Sequence, residues 1–255
     1  MTTEITYTVA DFVAEIVLNR PQKHNAMTPE MAATLLEACT KADKDDNVRV
    51  VLLRGAGDRA FCSGSDLNSL AKYPSPWHFR NRVIYENAIR NIKKPVIAAL
   101  KGWVLGGGGE MALAADIRVC GRGAKWGFPE VVRGWVGGGG ASQMLPRLVG
   151  YGQAMRMLLT GEHIGAEEAY RLGLVEFLVD DAEVEKTARE LCKKIASYSP
   201  VAAQSVKAAV RAALSTSLEA GLRYENEMNT LCFSAGDHME GINAFNEKRA
   251  GEFKR

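Results

Sequence analysis

Apolar and polar positions form a pattern that predicts alternating strands and helices over the first 149 residues. Two β-rich runs, residues 5–10 and residues 12–18, predict a hairpin, and the apolar run over residues 48–53 predicts a buried strand. Between them, Thr28 followed by Pro29 matches a helix N-cap with proline at the first helical position, and apolar residues follow at helical spacing. Such alternation predicts βαβ units with parallel strand pairing, which is the α/β class.

The remaining pattern predicts longer elements. Residues 79–94 carry apolar positions at helical spacing and predict one helix, and the apolar run over residues 95–105 predicts one buried strand. From residue 141 the chain turns helical, and after residue 149 we expect nearly all of it to be helix. Ser199 followed by Pro200 marks the start of one of these helices. The chain thus divides into an alternating part and a helical C-terminal part.

A run of four glycines, Gly106 to Gly109, lies between the predicted strand and the helical residues 110–116. Residues without a Cβ allow another molecule to approach the main chain closely. A helix that starts within the run points unpaired N–H groups outward and favours negative charge there, with Glu110 in its first turn. The stretch therefore suits an oxyanion site beside a carboxylate. The same residues also suit tight strand–helix packing with a solvated Glu110.

Two further residues extend this candidate site. Glu130, like Glu110, lies at the edge of a glycine-rich turn among apolar and aromatic residues. Two carboxyl groups in one apolar pocket acquire different pKa values, one suited to an acid and one to a base, although the spacing equally allows two surface acids. Ser65 follows Gly64 in a loop of small residues, and its N–H would complete an oxyanion hole. Because its hydroxyl lacks a G-x-S-x-G context, we do not interpret it as a nucleophile, and an ordinary turn serine remains the alternative.

Composition excludes several classes of function. The 255 residues are 47% hydrophobic and 24% charged, with a net charge of +2 that gives no electrostatic case for nucleic acid. Five scattered cysteines without a CxxC pair favour a reducing compartment, and neither a leader nor a membrane-spanning run is evident, so we expect a cytoplasmic protein. No phosphate-binding glycine motif is complete, and the four histidines are isolated, which argues against a nucleotide cofactor and against a metal.

Five motifs together resemble one known family. They are Arg20-Pro21 with Asn25-Ala26-Met27, the segment 61–67 (FCSGSDL), the segment 102–110 (GWVLGGGGE), Phe128-Pro129-Glu130 with Gly134, and the segment 244–249 (AFNEKR). In this order and at these spacings the chain resembles the crotonase superfamily, also called the enoyl-CoA hydratase/isomerase family, over residues 5–254. The resemblance implies an α/β fold with a ββα-spiral core over residues 1–198 and a helical trimerisation region over residues 199–255.

The resemblance also implies partners and chemistry. Family members bind acyl-CoA thioesters, in which coenzyme A is part of the substrate and no separate cofactor is needed, and they form trimers or dimers of trimers. The family's oxyanion hole corresponds to the N–H groups of Ser65 and Gly107, and its two hydratase glutamates correspond to Glu110 and Glu130. Ser65 stands where the family usually has alanine or glycine. The positions that match CoA contacts are Lys23, His24, Ala26, Ser63, Asp66, Leu67, Phe245 and Lys248, the last two often from a neighbouring subunit.

Because both glutamates are present, the resemblance favours an enoyl-CoA hydratase, a lyase that adds water in syn fashion to a 2-enoyl-CoA to give a 3-hydroxyacyl-CoA, as in fatty acid metabolism. The alternatives are an isomerase or other enolate chemistry on the same fold, and a non-catalytic CoA-binding protein. Four tryptophans mostly flank the glycine clusters and suit either the core or the walls of a pocket for a bulky or cyclic acyl group. They are Trp77, Trp103, Trp126 and Trp135.

Overall fold

A computed structural model describes residues 3–253; residues 1, 2, 254 and 255, at the outer limits of the two predicted domains, lie outside the described part. The strands are β1 (Ile5–Ala10), β2 (Val13–Leu18), β3 (Val50–Gly55), β4 (Ala60–Cys62), β5 (Val96–Leu100), β6 (Trp103–Leu105), β7 (Ile117–Gly121), β8 (Lys125–Gly127), β9 (His163–Gly165) and β10 (Phe177–Val179). The helices are α1 (Pro29–Lys44), α2 (Leu67–Leu70), α3 (Pro76–Arg80), α4 (Tyr85–Arg90), α5 (Gly107–Ala114), α6 (Ala141–Val149), α7 (Tyr151–Thr160), α8 (Ala166–Arg171), α9 (Val184–Ala196), α10 (Pro200–Ala212), α11 (Leu218–Ala235) and α12 (Asp237–Glu247).

The strands form two sheets. The larger has the order β1-β2-β3-β5-β7-β10, and the smaller has the order β4-β6-β8-β9. β1 and β2 pair antiparallel as the predicted hairpin. The pairs β2–β3, β3–β5, β5–β7 and β7–β10 are parallel. In the smaller sheet β4, β6 and β8 are parallel, whereas β8 and β9 are antiparallel. The predicted α/β class with parallel pairing is confirmed.

The central strands are apolar at successive positions because both of their faces are covered. On β3, Val51 and Leu53 belong to the main hydrophobic core, whereas Val50 and Leu52 pack with α9 in a second cluster. Adjacent side chains of a strand point to opposite faces, so a strand between two layers has no polar face. The larger sheet therefore lies between the main core and α9.

The predicted strand over residues 95–105 is wrong as a single element. It breaks at Gly102, where φ is +60°, and an added Cβ would overlap the carbonyl group of Arg59. Only glycine adopts this turn at such close approach without strain. As a result β5 lies in the larger sheet and β6 in the smaller one, and α5 follows β6 directly.

Two helix predictions also need correction. Residues 79–94 form two short helices rather than one, because Asn81 bonds the Trp77 carbonyl at the end of α3 and Ile84 is extended before α4. The region after residue 149 contains two strands as well as helices. These strands, β9 and β10, have three residues each and gain their hydrogen bonds from β8 and β7, which a local pattern does not reveal.

The C-terminal helices begin at the predicted cap, where the Ser199 side chain accepts a hydrogen bond from the N–H of Ala202 at 3.0 Å. Among residues 3–253, α11 has no buried residue. The boundary between residues 198 and 199 stays a prediction. Within residues 3–253, no helix is both long enough and apolar enough to cross a membrane.

Candidate active site

The start of α5 is held close to three neighbouring segments. Gly106 caps the helix with a φ of +52°, and an added Cβ on Gly107 would overlap the Tyr85 hydroxyl. A Cβ on Gly108 would overlap the Cys62 carbonyl, and one on Gly109 would lie 2.8 Å from the Phe128 ring. The glycine run is thus required by close packing, and the prediction that a helix begins within it is confirmed. Its first N–H groups have no partner within the helix.

Ser65 lies next to this helix start. In a parallel bridge with Met27, the Gly64 carbonyl and the Asp66 N–H bond to Met27 at 2.8 Å each, so the N–H of Ser65 points to the opposite side. An added Cβ on Gly64 would lie 3.3 Å from the nitrogen of Gly107, which shows how closely the two segments approach. Within residues 3–253, neither Ser65 nor Gly107 donates its N–H to another protein group.

Glu110 is 3% exposed and lies in the first turn of α5. Its Oε1 atom accepts hydrogen bonds from the N–H groups of Gly139 at 2.9 Å and Ala141 at 3.0 Å. An added Cβ on Gly137 would lie 2.6 Å from the same oxygen. The second glycine cluster, Gly137 to Gly140, therefore folds around the Glu110 carboxyl group and holds it in place.

Glu130 follows β8 and reaches the same helix start from another side. An added Cβ on Gly106 would lie 2.9 Å from Glu130 Oε1. Burial and then the charge of Glu110 raise the pKa of Glu130, while its own backbone N–H and Arg133 oppose this effect. The structure thus brings Ser65, Gly107, Glu110 and Glu130 to one place, although their chemical roles stay predictions.

A third carboxyl group, that of Glu86, lies beside the same helix start and was not predicted from the sequence. Glu86 is 4% exposed on α4, and an added Cβ on Gly107 would lie 2.9 Å from its Oε1. Burial and then the charge of Glu110 raise the pKa of Glu86 to about 8. The neighbouring Tyr85 hydroxyl lies 2.9 Å from Ser65 Oγ. The sequence signal that could have indicated this burial is spacing. Glu86 lies three residues before the apolar Ile89, so both side chains lie on the same face of α4, which is buried.

Six of the predicted CoA-contacting residues occupy two adjacent segments. The Ser63 N–H donates to the His24 carbonyl at 3.0 Å, and the Asp66 carboxylate forms a salt bridge with Arg20 at 2.8 Å. Asn25 is fully buried and ties this loop to the carbonyls of Ala56 and Ala60, a role that the sequence analysis did not assign. Lys23, Ala26 and Leu67 belong to the same two segments.

The other two predicted CoA contacts lie at the end of α12. Phe245 is 84% exposed, and Lys248 follows the helix in a left-handed conformation. Their contact with CoA stays a prediction.

The four tryptophans differ in environment. Trp126 is completely buried, which contradicts its predicted place on a pocket wall because a side chain without exposed surface does not contact a substrate. Trp103 is 38% exposed and packs edge-on against His163. Trp77 is exposed on α3, and Trp135 follows the turn that begins at Glu130. For these three, contact with an acyl group stays a prediction.

The groups that meet at the start of α5 are carboxyl groups and backbone amides. Over the described residues 3–253, no group of three or more His, Cys, Asp or Glu side chains has the arrangement of a metal site. The prediction that the reaction needs neither metal nor separate cofactor remains untested.

Comparison with known proteins assigns the family. A family model described as enoyl-CoA hydratase/isomerase matches residues 8–255. The (E)-benzylidenesuccinyl-CoA hydratase of Thauera aromatica is 37% identical over 255 residues, 98% of each chain, and the short-chain-enoyl-CoA hydratase of Clostridium acetobutylicum is 35% identical, covering 93% of this chain and 92% of the relative. The crystal structure of an enoyl-CoA hydratase from Bacillus anthracis superposes with a TM-score of 0.94 at 35% identity, covering 99% of both chains. This chain therefore belongs to the enoyl-CoA hydratase/isomerase family, the crotonase superfamily, with the fold that its sequence motifs predict.

Proposed function

We propose that this protein is an enoyl-CoA hydratase, which adds water across the α,β double bond of a 2-enoyl-CoA to give a 3-hydroxyacyl-CoA. The observation that carries the proposal is the grouping of two unpaired amides, Ser65 and Gly107, with two carboxyl groups, Glu110 and Glu130. Relatives named as hydratases support the same reaction.

In the proposed reaction the thioester oxygen accepts hydrogen bonds from Ser65 N and Gly107 N. Negative charge grows on that oxygen as the enolate forms, so these donors stabilise the transition state more than the ground state. Glu110 takes a proton from water as the water oxygen bonds to Cβ, and protonated Glu130 gives a proton to Cα. The raised pKa of Glu130 supports its role as the acid. A proton then returns from Glu110 to Glu130 before the next turnover.

We assign the CoA moiety to the strip formed by residues 23–26 and 63–67. The hydrogen bond from Ser63 to His24 and the Asp66–Arg20 salt bridge support this assignment, because they fix the two segments side by side. Phe245 in α12 and Lys248, which follows that helix, complete it from a neighbouring subunit.

We further propose a homotrimer or a dimer of trimers in the cytoplasm. In the part of one chain that the structure describes, α11 buries none of its residues, and it carries exposed apolar side chains, among them Leu218, Leu222 and Phe233. Sedimentation equilibrium measures the assembly directly, and a monomer at micromolar concentration contradicts the proposed oligomer.

The reaction is tested with purified protein and 2-enoyl-CoA thioesters of several chain lengths, including one with an aromatic ring. Hydration removes the ultraviolet absorbance of the conjugated enoyl thioester, and we expect that absorbance to fall. Turnover of a 3-enoyl-CoA together with no loss of absorbance on any 2-enoyl-CoA would instead identify an isomerase.

Two variants separate an enzyme from a non-catalytic CoA-binding protein. We expect Glu110→Gln and Glu130→Gln each to lower kcat by about 10³-fold, within the range for a general acid or base, while CoA binding is kept. Glu176→Gln, at a carboxylate that bonds Arg118, is the matched control and should retain turnover. Unchanged kcat in both site variants contradicts the assigned roles.

A further inference from the structure

The Glu86 carboxyl group lies close both to Gly107, a proposed oxyanion donor, and to Gly139 of the second glycine cluster. An added Cβ on Gly139 would overlap the Glu86 carboxyl group, and one on Gly107 would lie 2.9 Å from its Oε1. Gly139 is also the residue whose N–H bonds Glu110 at 2.9 Å. The two carboxyl groups therefore lie against the same loop residue, and one of them also adjoins an oxyanion donor.

No cation forms a salt bridge with Glu86 within residues 3–253. Arg90 directs its guanidinium to Asn87 Oδ1 and the Gly139 carbonyl, at 2.6 and 2.8 Å, and Arg82 donates to the Phe79 carbonyl at 2.8 Å. The titratable and charged groups that influence Glu86 electrostatically from its own segment and from β4 and α5 are Arg82, Tyr85, Arg90, Cys62 and Glu110. A buried carboxylate without a paired cation beside a second carboxylate is unfavourable.

The contacts distinguish the two carboxyl groups. Glu110 accepts two backbone N–H groups and lies in the first turn of α5, an arrangement that suits a negative charge. Within residues 3–253 Glu86 accepts no N–H group from the loop; its own backbone N–H, Arg82 and the Tyr85 hydroxyl, which also lies 2.9 Å from Ser65 Oγ, only partly oppose the rise of its pKa. When two such groups share a buried space, the pair carries one proton over a range of pH.

We propose that Glu86 is a positioning residue that works as a neutral carboxylic acid, so that Glu110 holds the single negative charge of the pair and no buried anion faces the oxyanion donor Gly107. The inference rests on the proposed hydration. An ionised Glu86 would oppose the charge that grows on the thioester oxygen, because both would lie in one desolvated space. The proton on Glu86 therefore determines whether the site favours the enolate.

The functional test is the pH dependence of kcat in the wild type and in Glu86→Gln, a side chain of the same shape that does not ionise. We expect wild-type kcat to fall as the pH rises through about 8, the pKa to which burial and Glu110 raise Glu86. The variant should keep kcat within about threefold near neutral pH and move the alkaline fall upward by about one pH unit or more. An alkaline fall at the same pH in both proteins overturns the inference.

A measurement without turnover separates this inference from the proposed function. The infrared band of a protonated carboxyl group should be present in the wild type near neutral pH, disappear as the pH passes about 8, and be weaker in Glu86→Gln. A wild-type spectrum without a band that titrates there overturns the inference, even if Glu86→Gln fails to fold. Absence of hydration with the band present contradicts the proposed function alone.

Glu15→Gln provides the matched control. Glu15 is a largely buried carboxylate that pairs with Arg54 and Arg189 on the larger sheet. Its removal should leave both the pH profile and the titrating infrared band unchanged. If Glu15→Gln moved the alkaline fall of kcat by the same amount, that change would not be specific to Glu86 and the inference would be contradicted.

Discussion

The two ends of α5 differ in whether the charged groups beside them form salt bridges. At its start, Glu86, Glu110 and Glu130 approach unpaired amides without a cation in a salt bridge, within the described residues. At its end, Asp116 bonds Lys207 at 2.6 Å and Arg211 at 2.9 Å, and Arg211 also donates to the Ala114 carbonyl. The first end thus holds the groups to which we assign the proposed reaction, whereas the other end pairs its charges.

The cations at the C-terminal end of α5 are explained by the helix itself. Carbonyl groups at the end of a helix lack internal partners and carry partial negative charge, so cations bind there. Arg118 donates to the Ala112 and Ala115 carbonyls at 3.2 and 3.0 Å. Burial still lowers the pKa of Lys207 to about 8, although Asp116 opposes it. Even the paired end therefore retains a cost of burying charge.

The largest expected effect comes from Gly107→Ala at the start of α5. The new methyl group would overlap the Tyr85 hydroxyl and displace the proposed oxyanion donor, so we expect kcat/KM for the proposed hydration to fall by about 10²- to 10³-fold. Gly152→Ala in α7, where an added Cβ meets nothing within 4 Å, is the matched control and should keep turnover. Equal kinetics in the two variants would mean that the start of α5 is not the reacting end.

Asp116→Asn tests the opposite end. The change leaves Lys207 and Arg211 without a carboxylate, and we expect the free energy of unfolding to fall by about 3 kcal/mol. Urea titration measures the loss, and kcat should change by less than about threefold because the reacting groups are untouched. A large loss of kcat at unchanged stability would reverse the assignment of the two ends.

Glu86→Gln refines the comparison through the pH dependence of stability. The pKa of Glu86 rises from its ordinary value of 4.5 to about 8 on folding, so the folded protein binds more protons between these values. Its contribution to the free energy of unfolding then decreases as pH rises over this window, by at most about 1.4 kcal/mol per pH unit. Urea titrations of both proteins at several pH values should show this slope in the wild type and its absence in the variant. Parallel curves would contradict the burial of a neutral Glu86.

Ser199→Ala gives the smallest expected effect. Its hydroxyl caps α10 by accepting the Ala202 N–H at 3.0 Å, and we expect its loss to lower the free energy of unfolding by about 1 kcal/mol without changing kcat. This variant tests a helix start with a side-chain cap, whereas the start of α5 has no such cap. Thermal unfolding detects the change, and an equally large loss of kcat would contradict a purely structural cap.

The sequence predicted the features whose causes are local. The hairpin, the cap at Thr28 and the helix start within Gly106 to Gly109 follow from side-chain alternation, capping chemistry and the absence of Cβ atoms. The motifs also identified the family.

The features that were missed depend on contacts between distant segments. Strands β9 and β10 obtain their hydrogen bonds from β8 and β7, and the break at Gly102 follows from the approach of Arg59. Glu86 joins the site because α4 packs against α5 and the second glycine cluster, which spacing along the chain does not reveal. Trp126 was assigned to a pocket because its neighbours are glycines, yet the smaller sheet buries it.

The most direct test of the proposed site is a crystal structure of the protein with acetoacetyl-CoA bound. We expect a thioester oxygen about 2.7–3.1 Å from both Ser65 N and Gly107 N, with Glu110 and Glu130 on either side of the position for one water molecule. A thioester oxygen bound away from either amide, or two carboxyl groups too far apart to share one water, would contradict it.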